Sequence, residues 1–90
     1  MTTTELVENF VHHGATAGSA SNKRLRIEGD KLINYSTVIA VRTNSAIVLN
    51  GKTYSMTTTK HQNRIRRNAE SKWGLELIEV DTEEEVKSYL

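Results

Sequence analysis

Hydrophobic residues near the start of the chain recur at helical spacing. Leu6, Val7, Phe10 and Val11 share one side of a helix with about 3.6 residues per turn, so residues 4–13 read as a short amphipathic helix. Thr4 can cap it, Glu5 and Glu8 suit the positive end of its dipole, and Gly14 is placed to end it. Residues 14–22 are all small or polar and read as a loop. From residue 23 to 55 the period changes to two. Arg24-Leu25-Arg26-Ile27-Glu28 alternates as a half-buried strand does, and Gly29-Asp30 turns it into Lys31–Tyr35. Thr37–Arg42 is β-branched and apolar, as a central strand is. Thr43-Asn44-Ser45 reads as a turn, Ala46–Leu49 as a strand, and Asn50-Gly51 as a hairpin turn into a return strand over residues 52–55.

A second helix is expected over residues 58–73, with a capping box of Thr59 and Gln62. On a wheel of about 100° per residue, Ile65, Ala69 and Trp73 fall together with His61 nearby, while Lys60, Arg64 and Arg67 gather opposite and Arg66 lies to one flank. Trp73-Gly74 marks the expected helix end, with the indole closing the core. Residues 75–80 read as a last strand, and residues 82–90 as a short helix capped by Asp81 or Thr82 and docked by Val86, Tyr89 and Leu90. The sum is one α+β domain: an antiparallel sheet of about four to five strands, an N-terminal helix, a basic helix after the meander, and a C-terminal strand and helix. The strands do not alternate with helices, which argues against a dinucleotide-binding fold.

Composition narrows the function classes. Ninety residues suit one core and leave little room for a deep catalytic cleft. Charged residues at 26% and apolar ones at 37% are too balanced for global disorder. There is no cysteine, so disulfides and thiolate chemistry are excluded. The first residues lack a basic n-region and a long apolar run, so neither a signal peptide nor a membrane span is expected.

The formal net charge of +1 hides an asymmetry. Residues 1–56 carry six Lys/Arg against four Asp/Glu, residues 57–73 five against one, and residues 74–90 one against six. The basic helix is thus followed by an acidic end, and the two could pair with each other or form opposed surfaces.

Catalytic chemistry finds little support. His12 and His13 are adjacent and point to different sides of a helix, and no H-x-x-x-H spacing exists, so no metal site is expected. Ser55, Thr57, Thr58, Thr59 and His61 lie close in sequence but lack a nucleophile elbow and an orienting acid, and the carboxylates at Glu76, Glu79 and Glu83–Glu85 read as solvated. The small-residue loop carries neither G-x-x-x-x-G-K-S/T nor G-x-G-x-x-G. No catalytic residue and no cofactor is assigned.

The basic stripe is the strongest functional signal. Lys60, Arg64, Arg66 and Arg67, with Gln62 and Asn63 between them, offer phosphate contacts and base-edge hydrogen bonds. Against that, the pI of about 8.1 is low for a nucleic-acid binder, and no aromatic residue is interleaved with the cations. The competing surface is acidic: Glu83, Glu84 and Glu85 could occupy a basic groove in a protein target. A homodimer through a sheet edge or the basic helix is left open.

Two segments, Gly29-Asp30-Lys31-Leu32-Ile33-Asn34-Tyr35-Ser36-Thr37-Val38-Ile39-Ala40 and Lys52-Thr53-Tyr54-Ser55-Met56-Thr57-Thr58-Thr59-Lys60-His61-Gln62, carry a resemblance. The chain resembles small proteins of unknown function encoded by phages and mobile elements, with a G-D-x-L-x-N-Y-x-T-x-I-A strand followed by K-Y-S-x-T-T-S-K-H-Q and a basic run. The likeness spans about residues 24–68; Thr53 interrupts the K-Y-S run, and Thr59 stands where serine is usual. It implies a small accessory protein in the cytoplasm of a bacterial host, acting by binding. Its implied target is nucleic acid, a nucleic-acid-handling complex, or, as an anti-CRISPR-like inhibitor, a host defence system. It carries over no active site.

Overall fold

The computed structural model describes residues 1–90 apart from Asn22, Lys23, Thr53, Ser55 and Trp73. Its elements run α1 (Thr3–His12), β1 (Ala17–Ser19), β2 (Leu25–Glu28), β3 (Lys31–Asn34), β4 (Thr37–Arg42), β5 (Ala46–Asn50), α2 (Met56–Ser71), β6 (Glu76–Val80) and α3 (Glu83–Lys87). The six strands lie side by side in sequence order. Pairings from β1 to β5 are antiparallel, and β6 joins β5 in parallel. The α+β class and the order of its parts are as expected, but the sheet has six strands with one parallel pair where about four to five antiparallel strands were expected, because β1 forms in the small-residue segment and β6 returns beside β5 through α2.

Helix α1 is capped two residues earlier than expected. Thr2, not Thr4, is the N-cap. Its hydroxyl accepts from the Glu5 amide, and the Glu5 carboxylate accepts from the Thr2 amide in return. The Thr2 backbone amide first, and the Thr2 side chain second, hold the Glu5 carboxyl below its ordinary pKa. Leu6, Val7, Phe10 and Val11 are all fully buried, as their spacing requires. Gly14 follows the helix at φ +63°, the left-handed geometry that stops a helix without side-chain strain.

The small-residue loop contains a strand. Ala17, Gly18 and Ser19 pair with Glu28, Ile27 and Arg26. Backbone pairing needs no large side chain, and here a large one would not fit, because a Cβ on Gly18 would stand 3.1 Å from Leu6 Cδ1. The composition that suggested a loop is what lets α1 lie close over β1.

Strand β4 carries a bulge. Leu32 pairs with Ala40 and Ile33 with Val38, leaving Ile39 as the extra residue. Ile39 and Ala40 therefore both join the core beneath α1 and α2, with Leu25, Leu32, Ile47, Leu49, Ile65 and Ala69. Val38 and Val41 turn to the other face, where Val48, Ile33 and Val86 of α3 form a second, smaller core. The sheet thus separates α1 and α2 from α3.

The Asn50-Gly51 hairpin does not form. Lys52 and Tyr54 are outside any strand, and the remainder of the expected return strand, Thr53 and Ser55, lies outside the described residues. The Asn50 side chain instead accepts from the Lys52 amide at 3.0 Å, bending the chain locally, and Gly51 donates its amide to Val80 O at 2.7 Å. The chain leaves the sheet for α2, and β6 takes the place of the return strand. The expected closure of the core by Trp73 also lies outside the described residues. In α3, Thr82 is the N-cap and Val86 docks, but Tyr89 and Leu90 are exposed.

Candidate nucleic-acid interface and an adjoining cleft

Helix α2 begins at Met56, so Thr57, Thr58 and Thr59 fall inside its first turn and the capping box of Thr59 with Gln62 is not made. Its inward face carries Thr58, His61, Gln62, Ile65 and Ala69, all buried. The helix is tied to α1 by His12, whose Nε2 is 3.0 Å from Asn68 Oδ1, and by the Lys72 ammonium, which donates to His12 O.

The six residues expected to form the binding face separate into three groups. Lys60 and Arg67 are exposed and Arg64 is half-buried at positions i, i+7 and i+4, along one stripe. None of the three takes part in an ion pair among the described residues. Arg66 does: its guanidinium bonds the Glu79 carboxylate and also Asn63 Oδ1 at 2.8 Å. Gln62 does not face solvent. It is buried, and its amide donates to Asn50 O at 2.6 Å and Lys52 O at 2.9 Å, binding the segment after β5 to the helix. Charge segregation along the helix was legible in the wheel; the inward turn of Gln62, a polar residue beside polar neighbours, was not.

His61 is 4% exposed, and its Nδ1 lies 3.4 Å from Arg64 Nη1. Burial, and secondly the Arg64 charge, lower its pKa below the ordinary imidazole value. The unfolded chain therefore takes up a proton near pH ~6.5 that the folded chain resists. Stability should be level above about pH 7 and fall as pH drops below about 6.5, until the folded imidazole itself protonates. Thermal melts at stepped pH should show this slope, and His61→Gln should flatten it. An equal slope in the variant would remove His61 as the cause.

The acidic candidates also divide. Glu83 Oε2 accepts from the Val38 amide at 2.6 Å, and its other oxygen stands 3.8 Å from Lys87 Nζ, so Glu83 fastens α3 to β4. Glu84 and Glu85 are exposed. Because α3 covers the face of the sheet opposite α2, these carboxylates do not neutralise the basic stripe. The two charged surfaces stand back to back.

Sequence reasoning did not find a cleft of about 320 Å³ between the β3–β4 turn and the start of α2, lined by Asn34, Tyr35, Thr37, Tyr54 and Thr58. Asn34 is 3% exposed, and its Nδ2 donates to Thr58 Oγ1 at 2.9 Å. Its Oδ1 is buried without a hydrogen-bond partner among the described residues. The Tyr54 hydroxyl accepts from the amide of fully buried Asn50, which also reaches Val38 O. Thr37 and Tyr54 also border a second cleft of about 410 Å³, with Lys52, Thr82, Glu83 and Glu84. The signal available in the sequence was the pair of motif segments themselves: Asn34-Tyr35 comes from one and Tyr54 and Thr58 from the other, and the fold brings them together.

Among the described residues no cluster of three or more His, Asp or Glu side chains is placed to hold a metal ion, and no helix is long and apolar enough to cross a membrane. The architecture defines a small α+β domain with a mixed six-stranded sheet, helices on both its faces, and a basic helix beside a tyrosine-bordered cleft. The chain belongs to a family of unknown function, DUF8033, whose model matches residues 9–81. No curated protein and no solved structure matches it.

Proposed function

We propose that this is a non-enzymatic accessory protein that binds nucleic acid, or a nucleic-acid-handling complex, through the exposed face of α2. The observation that carries the reading is the stripe of Lys60, Arg64 and Arg67: three cations on one helix face, outside the ion pairs of the described residues, while Arg26, Arg66 and Lys87 are each matched by a carboxylate. An unmatched row of cations suits a row of phosphates. Asn63 and Arg66 flank the stripe as auxiliary contacts. The resemblance to small phage and mobile-element proteins fits an accessory role in a bacterial cytoplasm.

Fluorescence anisotropy with single- and double-stranded DNA and RNA tests it. Three phosphate contacts should give a log–log salt slope of about −2.7 on duplex DNA and about −2.1 on single strands. The double variant Arg64→Glu/Arg67→Glu should bind at least about ten-fold more weakly while remaining folded, because Arg67 is exposed and half-buried Arg64 takes part in no ion pair among the described residues. Flat titrations at low salt overturn the reading. The exposed Glu84 and Glu85 would then be the surface to test, as an inhibitor's contact with a basic groove.

A further inference from the structure

The cleft lined by Asn34, Tyr35, Thr37, Tyr54 and Thr58 has features that packing alone does not explain. Asn34 is buried with half of its amide satisfied, and an unmatched buried acceptor is a standing cost that a donor entering the cleft would relieve. Two tyrosines border the same space and are 55% and 39% exposed at Tyr35 and Tyr54. A cation stands over each ring, the Arg24 guanidinium 5.7 Å from the Tyr35 centroid and Lys52 Nζ 5.6 Å from that of Tyr54. Tyr35 also holds φ +57° at the first position of the two-residue β3–β4 turn, a geometry the turn requires and a bulky residue adopts only at a cost. A large aromatic residue stands where glycine would be relaxed.

We propose that this cleft is a nucleobase pocket, in which the Asn34 amide pairs with an N–H edge of the base, Tyr35 and Tyr54 flank the ring, and Arg24 and Lys52 attract the attached phosphate. Flat aromatic walls, one amide reader and bordering cations are the means by which unpaired bases are captured. The volume is at the low end for small-molecule sites, which suits a single nucleotide unit. The site is separate from the α2 stripe and stands without it. The shared chemistry is the base, whether free as a nucleotide or unpaired within a strand.

Calorimetry of the full chain with neutral nucleosides, the four nucleoside monophosphates, ribose 5-phosphate and short unstructured oligonucleotides tests the proposal. Nucleosides carry no phosphate, so their binding reports the pocket and not the helix face. Saturable binding of a nucleoside or monophosphate, with ribose 5-phosphate silent, is the expected result for a free-nucleotide site. Binding of oligonucleotides that is lost on changing Tyr35 identifies an unpaired base in a strand. Tyr35→Gly suits the backbone at φ +57°, should melt near the parent temperature, and should weaken binding about ten-fold or more, the usual worth of one stacked base. The proposal is overturned if no nucleoside, nucleotide or oligonucleotide binds, if ribose 5-phosphate binds as well as a nucleotide, or if Tyr35→Gly binds like the parent.

Discussion

Gln62→Leu should lower the unfolding free energy by about 2–5 kcal/mol, although it replaces a polar residue with an apolar one in the interior. The Gln62 amide serves two backbone acceptors, Asn50 O and Lys52 O. Leucine leaves both carbonyls without that donor; the buried one on Asn50 costs about 1–3 kcal/mol and the part-buried one on Lys52 about 1–2 kcal/mol. Asn50 in turn holds the Tyr54 hydroxyl and the Lys52 amide, so the loss spreads to the wall of the cleft. Urea unfolding should show a lower midpoint at an unchanged slope, and the near-UV circular dichroism of the tyrosines should change in the folded state. A change below about 1 kcal/mol would mean that water serves these carbonyls equally well.

Phe10→Ala should cost about 3–5 kcal/mol, a large part of what a domain of this size has in reserve. Phe10 is fully buried in the core shared by α1, α2 and the sheet, alongside Ile65 and Ala69. Removing its ring leaves a cavity at the seat of the basic helix, so the binding proposed for Lys60, Arg64 and Arg67 should weaken with stability. Thermal or urea unfolding measures the first effect. A cost under about 2 kcal/mol would show that α1 settles into the space.

The legible parts of the fold were those written in periodicity. Leu6, Val7, Phe10 and Val11 announced α1, and the β-branched run from Thr37 to Val41 announced a central strand. What stayed hidden was decided by partners distant in sequence. Asn50-Gly51 is a strong local hairpin signal, yet the edge of β5 is filled by β6, and Asn50 spends its side chain on Lys52, Tyr54 and Val38. Gly18 pairs as a strand because Leu6 lies above it. Thr59 and Gln62 have capping-box spacing, but α2 starts three residues earlier and Gln62 turns inward. At the site, the wheel located Lys60, Arg64 and Arg67 but could not separate Arg66, whose partner Glu79 is on β6. Asn34 and Tyr54 become neighbours only when β3 and the entry to α2 are folded together.

The parallel pairing of β5 with β6 gives this sheet an uneven dependence on chain closure. Two-residue turns join β2 to β3 and β3 to β4, whereas residues 51–75 must loop back before β6 can meet β5. Relative to a two-residue turn, closing about 25 residues costs roughly 2 kcal/mol more in chain entropy. Docking of α2 within that loop offsets the cost, so the helix that presents the cations also acts as the clasp that holds the sixth strand in place.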